Sequence, residues 1–249
     1  MTDIHAHIIP GVDDGSDCME TSMDMLRTAE ENGVYEIVAT PHFDIRGGYA
    51  NYASESLEQS FRALVSMARR EQIHIRITRG MEIFASNDLP ELLAEGAVWT
   101  LGGTQYFMIE FDFHEEPEGF RPILRRCEHG GFRPVIAHPE RYRAVQRDPQ
   151  IAYEWCRAGY GLQLNKGSLS GRFGEEARIT AMRLISHGLA ACIASDAHGV
   201  SRRTTNIRGA RRIVSEEFGE AHAELLFERN PARILAGREL LGFEPYPFK

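Results

Sequence analysis

Short apolar runs alternate with longer amphipathic runs along the chain. The short runs are rich in β-branched and aromatic residues, as buried strands usually are. They predict strands at residues 3–5, 35–40, 73–81, 106–111, 134–137, 161–165 and 191–195. The amphipathic runs predict helices at residues 20–32, 54–71, 88–95, 119–130, 149–158, 175–188, 206–218 and 221–235. Left-handed caps are expected where predicted helices end, at Gly33, Gly96, Gly131, Gly159 and Gly188.

This alternation is typical of an α/β protein with a mainly parallel sheet. Seven strand–helix units within 249 residues indicate either a barrel one unit short of eight or an open sheet. No proline-rich or serine-rich linker divides the chain, so we expect a single domain over residues 1–249. Residues 43–52 are expected to form a long loop over one end, and residues 242–249 an irregular tail.

Polar residues capable of binding a metal follow six of the seven predicted strands. Because the carboxyl ends of parallel strands meet on one face, these side chains should converge there. An isolated buried histidine or glutamate is more often a packed or hydrogen-bonded residue, but its recurrence at nearly every strand end favours a metal site. The candidate ligands are His5, His7, His42, Glu82, Glu110, His138, Asp196 and His198, together with Asp14 from the loop after the first strand.

The ligand set contains four carboxylates, five imidazoles and no thiolate. This mixture favours manganese, iron or zinc and is unlike a thiolate-based structural zinc site. Nine ligands are too many for one ion, so two or three ions that share a bridging carboxylate fit better.

The composition excludes several classes of protein. Hydrophobic residues make up 43% of the chain and charged residues 26%, so a substantial core is available and global disorder is excluded. A net charge of −8 lacks the basic signature of nucleic-acid binders. The four cysteines are scattered, which is typical of a reduced, cytoplasmic protein. The sequence predicts neither a signal peptide nor a membrane span.

Several motifs together resemble the PHP superfamily (polymerase and histidinol phosphatase) over nearly the whole chain. Within it, the sequence is most similar to the manganese-dependent protein-tyrosine phosphatases of capsular and exopolysaccharide operons. The matching segments are DIHAHIIPGVDDG at 3–15, ATPH at 39–42, GMEIF at 80–84, FMIEF at 107–111, VIAHPERY at 135–142, LQLNKGSLSGRFG at 162–174 and IASDAH at 193–198. The resemblance implies a distorted (β/α)7 TIM-like barrel.

The resemblance also implies how the ligands divide among ions. One ion would be bound by His5, His7, Glu82 and Asp196, a second by Glu82, Glu110 and His138, and a third by Asp14, His42 and His198. Arg141 and an arginine after the SDAH segment would contact the substrate phosphate, and Arg202 and Arg203 are both candidates for the latter. Manganese is the expected metal.

The expected reaction is in-line attack on phosphorus by a metal-activated hydroxide. The resemblance implies a phosphotyrosine protein as substrate, namely a membrane-associated bacterial tyrosine kinase with a phosphorylated tyrosine-rich tail. The chain itself is expected to lack direct membrane insertion and nucleic-acid binding, and a homo-oligomer is compatible with the sequence.

Three alternatives share this ligand set: a histidinol-phosphate phosphatase, a phosphodiesterase or nuclease, and a non-catalytic metal-binding protein. One further sequence feature suggests a cysteine-based mechanism in place of the metal mechanism. Cys127 and Arg133 have the C-x5-R spacing of cysteine-based tyrosine phosphatases. In those enzymes the phosphate loop leads from a strand into a helix. Here Cys127 ends a predicted helix and Arg133 leads into a strand, so we expect a structural cysteine.

Overall fold

The computed structural model describes residues 1–116, 119–242 and 244–248. In these ranges the strands are β1 (Thr2–Ala6), β2 (Glu36–Ala39), β3 (His42–Asp44), β4 (Tyr49–Ala50), β5 (Arg76–Arg79), β6 (Glu82–Phe84), β7 (Tyr106–Glu110), β8 (Arg133–Ala137), β9 (Gly161–Asn165) and β10 (Cys192–Ala194). Residues 243 and 249 of the predicted irregular tail lie outside the described residues, and the rest of that tail has no regular secondary structure.

The helices are α1 (Met19–Glu31), α2 (Glu55–Arg70), α3 (Leu89–Ala94), α4 (Phe120–His129), α5 (Arg143–Arg147), α6 (Gln150–Arg157), α7 (Lys166–Leu169), α8 (Glu175–Ser186), α9 (Arg208–Phe218), α10 (Glu220–Glu224) and α11 (Asn230–Leu235). A π-helical turn, Leu225–Arg229, joins α10 to α11. Short 3₁₀ helices cover Leu101–Gly103 and Pro139–Arg141. In the described part of the chain, no helix is both long and apolar enough to cross a membrane.

Local sequence accounts for the helix boundaries. The hydroxyl oxygen of Ser54 accepts a hydrogen bond from the Leu57 N–H and caps α2, which has acidic residues in its first turn and basic residues in its last. All five glycines predicted to end helices have positive φ angles. Glycine tolerates this left-handed conformation because it has no Cβ atom.

The strands close into a parallel barrel with seven staves. One ladder has the order β1-β2-β5, and the other runs β10-β9-β8-β7-β6-β3-β4, in which β4 is an antiparallel edge strand outside the barrel staves. The two ladders are continuous because β2 leads into β3 and β5 leads into β6, each after two intervening residues. Closure occurs where Ala6 pairs with Ala197, and the Asp196 N–H donates to the His5 carbonyl oxygen at 2.8 Å. The fold is therefore the (β/α)7 barrel and not the open sheet.

Two sequence expectations need correction. Residues 43–52 do not form only a loop, because β3 and β4 pair as a short antiparallel hairpin. The predicted strand at 73–81 forms only β5 at Arg76–Arg79, and this stave continues in β6 beyond the predicted range; a second stave is divided between β2 and β3 in the same way. At the break between β2 and β3, Pro41 lacks an N–H that could join the ladder. At the break between β5 and β6, Gly80 lies so close to neighbouring side chains that a Cβ would come within 2.8 Å of Val38.

Alternation along the strands separates the core from the site. Residues of alternate parity on several strands, such as Val38, Met108, Val135 and Cys192, form one buried cluster that fills the barrel interior. Their neighbours, such as Ile109, pack in the larger cluster that includes the surrounding helices. Side chains alternate across a strand, so the residue two positions after an interior one again faces the interior. At the carboxyl ends of β7 and β10 this position holds a carboxylate.

Candidate metal centre

The nine predicted ligands all lie at the carboxyl-terminal end of the barrel. Glu110 occupies the interior position two residues after Met108, and Asp196 follows Ala194 at the end of β10 in the same way. His42 and Glu82 are paired across β3 and β6. Eight of the nine, all except His138, form three groups of potential metal ligands, whose ligand atoms lie within 4.8 Å of one another in each group. The groups are His5, His7, Glu82 and Asp196; His42, Glu82 and Glu110; and His7, Asp14, His42 and His198.

The most deeply buried group consists of His5, His7, Glu82 and Asp196. Nε2 of His5 lies 3.1 Å from Oε2 of Glu82 and 3.5 Å from Oδ1 of Asp196. Nε2 of His7 lies 3.2 Å from the same Glu82 oxygen and 3.2 Å from Nε2 of His5. Four ligand atoms therefore surround one point.

Glu82 also faces a second set of side chains. Its Oε1 lies 3.0 Å from Nε2 of His138, and its Oε2 lies 3.2 Å from Nδ1 of His42. Glu110 is close to both imidazoles, at 3.5 Å from His138 and 4.0 Å from His42. Glu82 is thus positioned as a carboxylate that two ions could share.

The third group lies nearer the surface. Oδ1 of Asp14 is 3.3 Å from Nε2 of His198 and 3.4 Å from Nε2 of His42. The Asp14 side chain is 51% exposed, so this group is open to solvent. His42 faces Asp14 with one ring nitrogen and Glu82 with the other, which places it between the second and third groups.

Hydrogen bonds behind the two histidines of β1 and its extension test whether the cluster suits a metal. Nδ1 of His5 donates to the side-chain oxygen of Gln163 at 2.8 Å, and Nδ1 of His7 donates to Asp13 at 2.8 Å. In the neutral imidazole that binds a metal, protonation at Nδ1 leaves Nε2 with a lone pair. Both lone pairs point toward the Glu82 carboxylate and toward each other. These electron-rich atoms repel one another unless a cation lies between them. Metal-binding histidines are typically oriented in this way.

Several residues that support this geometry were not identified from the sequence. Asp13 precedes the candidate ligand Asp14, and the amide of Asn165 donates to Asp196. Asp3 accepts hydrogen bonds from the backbone N–H groups of His5 and Ser195, at 3.3 and 2.9 Å. Gln163 and Asn165 carried a detectable signal, because they are polar residues at alternate positions of an otherwise apolar, fully buried strand.

The crowding of charges shifts the pKa values of the cluster. Burial alone would lower the pKa of His7, but Asp13 and Glu82 raise it to about 10. Burial raises the pKa of Glu110 well above its ordinary value, and the negative charges of Glu82 and Asp196 add to this effect. Protons thus compensate part of the negative charge in the cluster, as bound cations would.

Two ligands have backbone conformations that are unusual for residues other than glycine. His138 has a φ of 35° and Asp196 a φ of 50°. Residues with a Cβ rarely adopt such angles, and those that do cluster at functional sites. His138 and Asp196 follow the ends of β8 and β10, where the chain turns a candidate ligand into the site; Gln72, with a φ of 57°, lies away from the site.

The three candidate arginines have different surroundings. The guanidinium of Arg141 lies between the rings of Phe113 and Phe173, at 4.4 and 4.3 Å from the ring centroids. Its Nη1 is 3.6 Å from Oδ2 of Asp196. Arg203 donates from Nε to the Asp196 carbonyl oxygen at 3.0 Å and forms an ion pair with the carboxylate. Arg202 is exposed and lines a neighbouring cleft.

Cys127 and Arg133 do not form a phosphate loop. Cys127 is buried near the end of α4, and burial raises the pKa of its thiol to about 12. Arg133 begins β8, so it lies at the end of the barrel opposite the ligand cluster, where it donates to the hydroxyl of Tyr106 at 3.4 Å. The order is helix to strand, as the sequence predicted, and the thiol is not poised as a nucleophile.

Comparison with known proteins places this chain in a family. Residues 1–236 match the model of the family described as capsular polysaccharide synthesis, CpsB/CapC. The tyrosine-protein phosphatase YwqE of Bacillus subtilis is 33% identical over 258 residues, which cover 98% of this chain and 100% of that protein. The tyrosine-protein phosphatase CpsB of Streptococcus pneumoniae is 30% identical over 240 residues, which cover 94% of this chain and 98% of CpsB.

A solved structure extends this similarity to the fold. It comes from work on YwqE and CpsB, described there as unique metal-dependent tyrosine phosphatases. It matches with a TM-score of 0.94 at 32% sequence identity, and the match covers 100% of both chains.

Proposed function

This chain belongs to the CpsB/CapC family of capsular polysaccharide synthesis, and we propose that it is a metal-dependent protein-tyrosine phosphatase. The observation that carries the proposal is the convergence of eight clustered potential metal ligands, with His138 in contact with Glu82 and Glu110, beside two arginines, Arg141 and Arg203. Phosphate monoester hydrolysis needs both parts: ligands that hold cations near the phosphate, and guanidinium groups that bind its equatorial oxygens.

We assign the ligands to three ions, of which the first two share Glu82. The first is held by His5, His7, Glu82 and Asp196, the second by Glu82, Glu110 and His138, and the third by Asp14, His42 and His198. Manganese suits this set of nitrogen and oxygen ligands, and iron and zinc are the competing metals. When bound, such ions lower the pKa of a water molecule toward about 7 and stabilise the charge that develops on the phosphoryl oxygens.

The protein residues provide orientation and charge. Asp13 and Gln163 fix the ring tautomers of His7 and His5, so both Nε2 atoms are available as ligands. Arg141, held between two aromatic rings, has its Nη1 3.6 Å from Asp196 of the cluster and would bind two phosphate oxygens in a fork. A tyrosine phenolate has a pKa of about 10 and leaves more readily than an alkoxide, so the demand on a general acid is modest.

The family relationship supports a role in capsule or exopolysaccharide regulation. In that setting the substrate would be the phosphotyrosine tail of a membrane-associated bacterial kinase, and this chain would act in the cytoplasm.

The decisive experiment compares kcat/KM for a phosphotyrosyl peptide and for histidinol phosphate, using protein stripped with EDTA and reloaded with manganese, iron or zinc. We expect the stripped protein to be inactive and the manganese-loaded protein to prefer the peptide. A preference for histidinol phosphate would replace tyrosine phosphatase with the histidinol-phosphate activity. Full activity in EDTA would contradict a metal mechanism of any kind.

A further inference from the structure

A cleft opens at the carboxyl-terminal end of the barrel, beside the candidate metal centre. It has a volume of about 260 Å³ and lies between α7, the loop after β10 and the first turns of α9. Four of its lining residues are basic, namely Lys166, Arg172, Arg202 and Arg212. None of the lining residues in the described part of the chain is acidic.

The three arginines of this cleft have little negative charge near them. All three are exposed. Arg212 approaches Glu216 only at 3.9 Å, and within the described ranges neither Arg172 nor Arg202 forms an ion pair. The chain as a whole has 36 acidic and 28 basic residues. A basic cleft without a carboxylate is therefore a local feature and does not follow from the overall composition.

Lys166 fixes the shape of the cleft. Its ammonium group donates to the Asn206 carbonyl oxygen at 2.8 Å, to the Thr204 hydroxyl at 3.2 Å and to the Thr204 carbonyl oxygen. These bonds tie the loop after β10 to the start of α7. Because the ammonium is used in this way, the arginines remain as the groups that can bind a ligand, on a wall that is already ordered.

The cleft and the metal centre share their dividing wall. Arg203 forms an ion pair with Asp196, while the adjacent Arg202 lines the cleft. On the other side of the wall, Asn165 donates to Asp196 and the adjacent Lys166 lines the cleft. At both positions, two residues adjacent in the sequence lie one at the metal centre and one in the cleft. The two sites are therefore close enough for a single substrate peptide to reach both.

We propose that the cleft is a subsite for a second anionic group of the phosphopeptide substrate. This inference rests on the proposed phosphatase function. Guanidinium groups bind both phosphate and carboxylate in bidentate fashion, so the ligand is either a second phosphate or an acidic side chain of the same peptide. The subsite would make the enzyme selective for substrates with clustered phosphorylation or with acidic residues near the phosphotyrosine.

The test measures kcat/KM of the manganese-loaded protein on three sets of peptides of equal length. One contains a single phosphotyrosine, the second adds phosphoserine at one of several positions on either side, and the third has glutamate at those positions. We expect a gain on the order of tenfold at a favoured position. The double variant Arg172→Ala/Arg212→Ala should lose that gain. Arg208→Ala should retain the gain. This variant removes a charge from the same helix, but the native Arg208 side chain donates to the Glu31 carbonyl oxygen outside the cleft.

The outcomes separate this inference from the function on which it rests. A gain that depends on Arg172 and Arg212 supports the subsite, and the peptide set with the larger gain identifies the bound group. If the singly phosphorylated peptide is hydrolysed but neither addition helps, or if the double variant keeps the gain, the subsite is wrong and the phosphatase function stands. If the singly phosphorylated peptide is not hydrolysed with any of the three metals, the phosphatase function itself fails.

Discussion

Nδ1 of His7 donates a 2.8 Å hydrogen bond to Oδ2 of Asp13, whose side chain is fully buried. Asp13 is held in place by the backbone N–H groups of His42 and Gly15, each at 3.0 Å. This carboxylate determines which nitrogen of His7 carries the proton, and it thereby directs the Nε2 lone pair toward Glu82. We therefore propose that Asp13 is a positioning residue for the candidate metal centre, although it lies beside the more obvious candidate Asp14.

Replacement of Asp13 with alanine should weaken metal binding about 10- to 100-fold, because His7 loses the partner that fixes its tautomer. Calorimetric titration of the EDTA-stripped variant with manganese measures this directly, and excess manganese should restore much of the activity. Asp17→Ala is the matched control, since Asp17 lies in the same loop but accepts from the Thr21 hydroxyl at the surface. Unchanged manganese affinity in the Asp13 variant would contradict the positioning role.

Arg141 should be required for phosphate binding but not for metal binding. Its guanidinium contacts Phe113 and Phe173 and lies 3.6 Å from Asp196. Arg141→Ala should lower kcat/KM on the order of 10²-fold, as loss of one charge-stabilising donor does elsewhere. Arg141→Lys should recover little activity, because an ammonium neither stacks between rings nor forms a planar fork.

Metal content by elemental analysis and inhibition by inorganic phosphate separate the two roles of Arg141. We expect normal manganese content and weaker phosphate inhibition in both variants. Loss of manganese in Arg141→Ala would assign the residue to the integrity of the metal centre instead. Arg121→Ala is a suitable control, because Arg121 forms an exposed ion pair with Glu154.

The convergence of the candidate ligands could be predicted from the sequence because the barrel imposes a simple rule on them. Residues at the carboxyl ends of parallel strands must share one face, and side-chain alternation sends every second residue inward. Glu110 after Met108 illustrates the rule, since its environment follows from parity alone. The same rule could have been extended to Gln163 and Asn165, which alternate along β9 but are not obvious metal ligands.

Other features depended on contacts between distant residues and left no local signal. Gln163 supports His5 across 158 positions of sequence. The stacking of Phe113 and Phe173 on Arg141 requires three separate loops to meet. The hairpin of β3 and β4, which brings Tyr49 to stack on His42 at 5.6 Å, lay in a segment whose glycines and polar residues indicated a loop. Weak strand propensity was overridden there by pairing with β6.

Cys127→Ser should leave kcat/KM for the phosphotyrosyl peptide unchanged. The thiol is buried, its pKa is raised to about 12, and it lies near the end of α4, away from the ligand cluster. Peptide hydrolysis and far-ultraviolet circular dichroism on the same preparation provide the measurement. Complete loss of activity in a folded variant would revive the cysteine mechanism that the C-x5-R spacing suggests.

Glu140 should make the metal-free protein less stable as the pH rises. Its side chain is fully buried; Oε1 accepts hydrogen bonds from the Ser168 hydroxyl at 2.6 Å and the Asn165 N–H at 3.0 Å, and within the described residues Oε2 has no partner. Burial raises its pKa from 4.5 to about 7. Between those two values the folded protein holds a proton that the unfolded chain has released, so the free energy of unfolding falls as the pH increases.

A shift from 4.5 to about 7 corresponds to a loss of at most roughly 3 kcal/mol between pH 4.5 and pH 8. In Glu140→Gln the titrating group is absent, so the difference in unfolding free energy between wild type and variant should change by up to this amount across the range. Urea denaturation of EDTA-treated protein at several pH values measures the difference, and removal of metal excludes contributions from ion binding. Glu95→Gln, at an exposed position, should run parallel to the wild type. If Glu140→Gln also runs parallel to the wild type from pH 4.5 to pH 8, Glu140 does not titrate in this range in the folded protein.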